Sequence, residues 1–519
     1  MYGALILLIA NVSVKLIGAF FKIPLTYVLG EEGMGYFGTA YQVYTFLFIV
    51  ATAGLPVAIS KMVAESKAQG RDLEAQKTLS VSFKLLMCIG VAGFCALFFG
   101  ADFIAGKLLG NTGAAYGIRA IAPAMLFVSV MSAFRGYFQG HQNMIPTAAS
   151  EIAEALGKLI IGFAAAYLLL GYGMEYASAG AILGVSCGGL LGAVILTVMY
   201  IRTDRKKVFD STQQCESSRT ILKKLVLIAI PITIGASVFS LTSLIDMSMI
   251  MHRLQAGGFS EAESNRLWGL YSGYAVPLFN MPPTLINAIT VSIVPAIASA
   301  YSANNRQEAS QIVCKSMKIT ILFTLACSVG MSLEAGPILH LLYNNTNATL
   351  MLSILSLAIV FVSLVLVTNA VLQATGNANI PVINMIIGGV IKVITNYFLV
   401  ANPAVNINGA PIGTTLCYIT ILVLNIIAIK RKMTVKLPAS ELIFKPMVAV
   451  VAMAAVLIAT NGIFSHLGRI LAPVASIGLG ALVYLAVIVV INGISEEDIE
   501  LLPKSDKLIP LLKKFRIIR

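Results

Sequence analysis

The amino-acid sequence predicts an all-α integral membrane protein, and three observations carry that prediction. Of its 519 residues 58% are hydrophobic and 11% charged, whereas a soluble domain carries about 25% charged residues. Apolar runs of about 20 residues, enough to cross a bilayer as a helix, recur along the whole chain. Lysine and arginine concentrate in alternate connections between those runs, as a positive-inside topology requires.

The runs predict about fourteen transmembrane helices, each of spanning length. They lie at 4–29, 36–60, 80–104, 117–140, 148–170, 176–201, 225–250, 269–300, 318–342, 350–373, 382–401, 410–429, 446–463 and 471–492. The first, from Ala4 to Leu29, is too long for a signal-peptide core and lacks a small-residue cleavage site, so it counts as helix one. The eighth carries Pro277, Pro282 and Pro283 and is predicted to bend.

With the N-terminus inside, the cytoplasmic connections and tail hold 25 Lys and Arg residues and the outer connections four, Lys107, Arg253, Arg266 and Arg469. This places both termini in the cytoplasm and accounts for most of the +13 net charge without nucleic acid. The basic tail at 493–519 is expected to lie on the anionic inner leaflet. None of the seven cysteines forms a C-x-x-C pair, and His141, His252, His340 and His466 have no zinc-ligand spacing. Neither a metal site nor a cofactor is expected.

Two segment matches point to an internal duplication. Leu55-Pro56-Val57-Ala58-Ile59-Ser60 is matched by Val294-Pro295-Ala296-Ile297-Ala298-Ser299, 239 residues on. Gln139 to Pro146 is matched by Gln373 to Pro381, with the prolines 235 apart. Each repeat then covers six spans. An even number of crossings keeps both copies in one orientation, related by an axis along the membrane normal. The expected organisation is a six-helix lobe at 1–201, a cytoplasmic linker at 202–224, a second six-helix lobe at 225–430, two additional helices at 446–492 and the tail.

The stretch Phe134-Arg135-Gly136-Tyr137-Phe138-Gln139-Gly140-His141-Gln142-Asn143-Met144-Ile145-Pro146 resembles the stage V sporulation protein B group of polysaccharide transporters. So does Pro277 to Asn280 through Ser292 to Ile297. The group belongs to the multidrug/oligosaccharidyl-lipid/polysaccharide exporter superfamily. The resemblance covers essentially the whole chain. It implies two lobes about a central cleft, a bacterial cytoplasmic membrane location, and a polyprenyl-pyrophosphate-linked sugar as substrate, with lipid II the leading candidate. Lys15 and Lys22 resemble the basic pair in helix one of the lipid II flippase branch. That branch has arginines there at a shorter spacing, and the basic residues expected in spans two and eight are absent here.

Four lysines are candidates for binding the anionic head group. Lys15 and Lys22 are seven residues apart and share one face of helix one, with Lys15 about 17 Å into the span. The competing reading pairs Lys15 with an acid such as Asp246. Lys158 and Lys392 occupy matching places in the two repeats, but Glu154 and Glu151 precede Lys158 on its own helix face and compete for it. Glu151, Glu154 and Asp246 are candidates for proton or sodium coupling, against a salt-bridge role. Arg135 is a candidate gate or lipid-headgroup contact, against simple positive-inside anchoring. Few acids lie within the spans, which disfavours a multidrug exporter of cationic compounds. A membrane enzyme of glycan assembly would need catalytic acids or histidines and a large outer loop, and the longest outer connection, at 251–268, is short.

Overall fold

The computed structural model describes residues 2–204, 215–433, 438, 440–463 and 468–493. His466 and all but the first residue of the basic tail lie outside these. Among the described residues every regular element is helical, as the apolar runs require. Twelve of the helical stretches are long and apolar enough to cross a membrane.

These twelve differ from the fourteen predicted spans at two places. Predicted spans one and two fall in one stretch, Ser13–Ala68, of 56 residues. At 1.5 Å per residue that is about 84 Å, far beyond one bilayer crossing. The helix α1 (Tyr2–Thr52) is broken at Gly30, whose φ of 58° and ψ of −162° leave helical geometry. Glycine reaches that region without a Cβ penalty. The predicted eighth span is divided, as its prolines require, into a π-helical turn Leu270–Ala275, a short helix Val276–Phe279 and a longer one Met281–Ser302.

The chain forms two compact units. The first holds Met1–Gln255 and Phe259–Gly269, and so includes the helices Ser218–Ala256 and Glu261–Gly269, which lie largely in the expected second lobe. Its helices after α1 are α2 (Leu55–Ala68), α3 (Asp72–Asp102), α4 (Ala115–Ile121), α5 (Ala124–Gly140), α6 (Ile145–Leu169), α7 (Met174–Asp204), α8 (Ser218–Ala256) and α9 (Glu261–Gly269). Glycines bring α6 and α7 together. A Cβ on Gly184 would lie 2.3 Å from the Gly162 Cα, and one on Gly188 2.4 Å from the Glu154 carbonyl oxygen. Such small-residue seams drive helix association in lipid, where apolar burial alone gives no preference.

The Gly30 break is held by a knot of polar contacts. Asn265 of α9 is fully buried. Its side chain donates to the Glu32 carbonyl at 2.9 Å and accepts from Asn111 at 2.8 Å. Asn111 also donates to Thr39 at 2.9 Å. Arg266 pairs with Glu31 at 2.5 Å, and Glu261 accepts from the Thr112 hydroxyl at 2.6 Å. Helix α9 starts with a reciprocal cap: the Ser260 amide donates to Glu263 at 2.9 Å, and the Glu263 amide donates to the Ser260 hydroxyl at 3.2 Å. The Ser260 bonds hold the Glu263 carboxyl below its usual range.

The second unit holds Ala256–Gly258 and Leu270–Arg519. Its helices are α10 (Val276–Phe279), α11 (Met281–Ser302), α12 (Arg306–Leu333), α13 (Ala335–Tyr343), α14 (Thr349–Ala374), α15 (Asn379–Leu399), α16 (Gly409–Lys432), α17 (Lys445–Ile463) and α18 (Gly468–Val490). Its core joins α11, α12, α14 and α16 through residues such as Ile297, Val313, Val367 and Ile421. The appended α17 and α18 dock on α12 through Leu322, Met453, Leu457 and Tyr484. The Tyr484 hydroxyl donates to the Leu322 carbonyl at 2.6 Å, Ser476 donates to the buried Glu334 at 2.8 Å, and Lys318 pairs with Glu441 at 3.4 Å.

The two units share local turns at a common offset of 234 residues. After α2 the Gln69, Gly70 and Arg71 amides donate to the Glu65, Lys67 and Ser66 carbonyls. After α11 those of Ala303, Asn304 and Asn305 donate to Ser299, Tyr301 and Ala300. The turns after α5 and α14 repeat the pattern, with Gln142 and Gly376 both at positive φ. The Leu55–Ser60 match at 239 is out of this register: Pro56 opens α2, whereas Pro295 lies inside α11. In the other match Gln139 and Gln373 keep this register, and Pro146 and Pro381 are one residue out of it.

Candidate functional site

Five of the predicted residues, Lys22, Arg135, Glu151, Glu154 and Lys158, lie near one another in the first unit. Arg135 leaves α5 and its Nε donates to Ser150 of α6 at 3.0 Å. Its guanidinium pairs with Glu154 at 3.1 Å, and both side chains are largely buried. Buried pairs of this kind are costly to break, because removal of one partner strands the other charge. Glu151, one turn before Glu154, is half-buried, and its Oε2 has no hydrogen-bond partner. It lies within electrostatic range of both Arg135 and Glu154.

Arg135 therefore takes the carboxylate that spacing alone offered to Lys158. The i,i+4 pair between Glu154 and Lys158 is not formed. Instead the Lys158 ammonium sits over two rings of α1, 4.3 Å from the Tyr41 centroid and 5.2 Å from that of Phe21. Among the described residues no carboxylate lies within ion-pair distance of it. Lys22, next to Phe21 in sequence and half-buried, is within electrostatic range of Lys158. Two like charges thus lie within electrostatic range of each other in a membrane-spanning region.

The rings belong to an aromatic ladder along α1. Phe21 packs on Phe37 at 6.2 Å, and Phe37 stacks on Tyr41 at 5.7 Å with 9° between planes. Tyr44 and Phe48 continue the series. The Gly30 break lets one helical segment place Phe21 beside the Phe37 to Tyr44 face of the next. Sequence reasoning singled out the lysines and missed the aromatics, because Tyr41 and Lys158 are 117 positions apart and nothing local links them.

The remaining candidates lie elsewhere. Lys15 is exposed on α1, and among the described residues no carboxylate lies within ion-pair distance of it, so the Asp246 pairing is not formed. Asp246 is buried on α8. Lys392 is half-buried on α15 of the second unit. It matches Lys158 at the offset of 234. A Cβ on Gly184 would lie 2.9 Å from the Lys158 carbonyl oxygen, and one on Gly413 3.4 Å from that of Lys392. The neighbourhoods then diverge. Asn369 and Asn384 stand where Arg135 and Ser150 stand in the first unit, and Gly388 stands in place of Glu154. There Asn425 donates to Asn369 at 2.7 Å and to Thr368 at 2.9 Å, and accepts from Asn384 at 2.8 Å. The cationic and acidic cluster of one unit is a neutral amide network in the other.

Comparison with known proteins agrees with this architecture. The family model for polysaccharide biosynthesis proteins matches residues 1–301, and the MatE model matches 272–398. Stage V sporulation protein B of Bacillus subtilis is 25% identical over 443 residues, covering 85% of each chain. The lipid II flippase MurJ of the same organism is 27% identical over 457 residues, covering 83% of this chain and 82% of the relative. Among solved structures, an inward closed MurJ superposes with a TM-score of 0.70 at 15% identity, covering 93% of this chain and 98% of that one. An inward-facing multidrug transporter of the MATE family superposes at 0.68, with 17% identity and coverage of 81% and 94%. The chain belongs to the polysaccharide biosynthesis protein family and is a multi-pass membrane protein similar to stage V sporulation protein B, with a fold shared with MurJ and MATE-family transporters.

Proposed function

We propose that this protein moves a polyprenyl-pyrophosphate-linked sugar, lipid II or a related wall or polysaccharide precursor, across the bacterial cytoplasmic membrane by alternating access. The carrying observation is the Lys22–Lys158 pair. Two ammonium groups within a spanning region, with no carboxylate among the described residues at ion-pair distance of Lys158, favour a ligand that brings its own negative charge. A pyrophosphate is such a ligand. Lysine meets it as a compact point charge rather than a bidentate fork, which suits a cargo that must be released.

The names of the relatives support the same reading, since both stage V sporulation protein B and the lipid II flippase lie within 25–27% identity over most of the chain. In this reading residues 1–201 and 225–430 act as the two six-helix lobes, both termini are cytoplasmic, and the lipid tail stays in the bilayer while the head group crosses. Lys15 on α1 and Lys392 on α15 would add positive charge along the path of the head group. A multidrug exporter would want carboxylates open to cationic compounds, and the Glu154 carboxylate is already engaged by Arg135.

Depletion of the protein in cells tests this reading. The expected result is accumulation of a polyprenyl-linked pyrophosphate sugar on the inner leaflet. Unchanged precursor levels together with hypersensitivity to cationic dyes would establish the exporter reading instead.

A further inference from the structure

The placement of Lys158 raises a physical question. An ammonium in a membrane span normally finds a carboxylate, and one lies a single helical turn away on the same helix. Glu154 is instead occupied by Arg135, which Ser150 also holds. Lys158 rests on ring faces, which attract a cation through their quadrupole without consuming its hydrogens. The three N–H donors stay available to an acceptor.

We propose that Tyr41 and Phe21 are positioning residues that park the Lys158 ammonium on their faces and away from Glu154, so that it can be handed to the pyrophosphate of the substrate. This rests on the anionic-substrate reading above. A ring face is a weaker partner than a carboxylate, so an arriving phosphate oxygen displaces it readily, whereas it would have to compete with Glu154 in an ion pair. Tyr41 is suited to the task by its own support. Phe37 stacks on it at 5.7 Å and holds the ring in place while Lys158 comes and goes. Lys22 acts in the same sense, because its repulsion with Lys158 is relieved when an anion binds to both.

The test uses full-length protein in proteoliposomes, with a lipid-linked pyrophosphate sugar as cargo and initial translocation rate as the readout. Tyr41→Leu removes the ring face and frees Lys158 to pair with an acid of its own helix. Its apparent KM should rise about tenfold, which equals about 1.4 kcal/mol. Tyr41→Phe keeps the face and should stay near the wild type. Adding Glu154→Gln to Tyr41→Leu removes the competing carboxylate and should restore most of the affinity, which a merely structural role for Tyr41 would not do. If Tyr41→Leu inserts poorly, Phe21→Leu removes the more distant ring and should give a smaller rise, about threefold. Wild-type KM in Tyr41→Leu or, where that variant inserts poorly, in Phe21→Leu, at equal abundance, would overturn the proposal while leaving the substrate reading intact. So would an equal loss in Tyr41→Phe, or no rescue by Glu154→Gln. A wild-type protein that moves no such lipid would overturn the substrate reading itself.

Discussion

Lys22→Glu is expected to abolish transport of an anionic lipid-linked sugar, and Lys22→Ala to weaken its apparent affinity about tenfold, the equivalent of 1.4 kcal/mol. Lys22 is half-buried on α1 and within electrostatic range of Lys158. At an effective dielectric of about 20, two unit charges 4 Å apart interact by about 4 kcal/mol before desolvation is counted. An anion shared by the two lysines gains from both. Alanine removes one attraction, whereas glutamate replaces it with repulsion and supplies Lys158 with an internal partner. Lys22→Arg keeps the charge and should retain most activity. Membrane abundance should hold in the alanine variant, since removing a charge from a span favours insertion by about 2.5–3.5 kcal/mol on translocon scales. Lys15→Ala should have the smaller effect, because Lys15 is exposed and lies about two helical turns before Lys22 on α1. Translocation rates and abundance measured together separate the outcomes. Normal transport by Lys22→Glu would remove Lys22 from the site.

The second large effect is on stability. Asn265→Leu should lower the thermal midpoint of the purified protein sharply and reduce its membrane abundance. Asn265 is fully buried and serves both the Glu32 carbonyl and the Asn111 amide. Leucine takes a partner from both, leaving the Asn111 amide only its bond to Thr39, and each stranded buried group costs about 1–3 kcal/mol. Gly269→Ala should be similarly damaging, since its Cβ would lie 1.9 Å from the Glu31 carbonyl oxygen. Arg266→Ala is the contrasting case. It breaks the neighbouring pair with Glu31, but the arginine side chain is 57% exposed. Partly exposed pairs contribute about 0–1 kcal/mol. Equal midpoint shifts for Asn265→Leu and Arg266→Ala would show that the Gly30 break is held by charge rather than by the buried amides.

Much of the fold was legible because it depends on local pattern. Apolar runs and loop charges are local, and they anticipated the helical membrane class. Pro277, Pro282 and Pro283 announced the division of the eighth run. The Gly30 break was less visible, since Glu31, Glu32 and Gly33 read as an ordinary connection until α9 and Asn111 close on it. Of the two segment matches, Gln139 with Gln373 falls on the 234-residue offset of the turns, and the Leu55–Ser60 match does not. A proline tolerated both at a helix start and inside a membrane helix is a weak register marker.

The candidate site was legible in its charges and not in its partners. Lys22, Lys158, Arg135 and Glu154 stand out because charge in a span is rare. Which base takes Glu154 was not readable from i,i+4 spacing, because Arg135 arrives from another helix with a planar fork and a second anchor at Ser150. The aromatic support from Tyr41 and the amide network around Asn425 both depend on contacts distant in sequence. Aromatics and asparagines in an apolar run carry no linear signal of the group they will meet.

The central claim is that the cationic cluster of the first unit recognises the charge on the head group. Its most direct test compares two cargoes in proteoliposomes of the wild-type protein. They carry the same polyprenyl chain and the same sugar, one joined through pyrophosphate and the other through a neutral glycosidic link. The account predicts that the pyrophosphate lipid is translocated and the neutral one is not, and that inorganic pyrophosphate competes with the first. Equal translocation of both lipids, without competition by pyrophosphate, would contradict it.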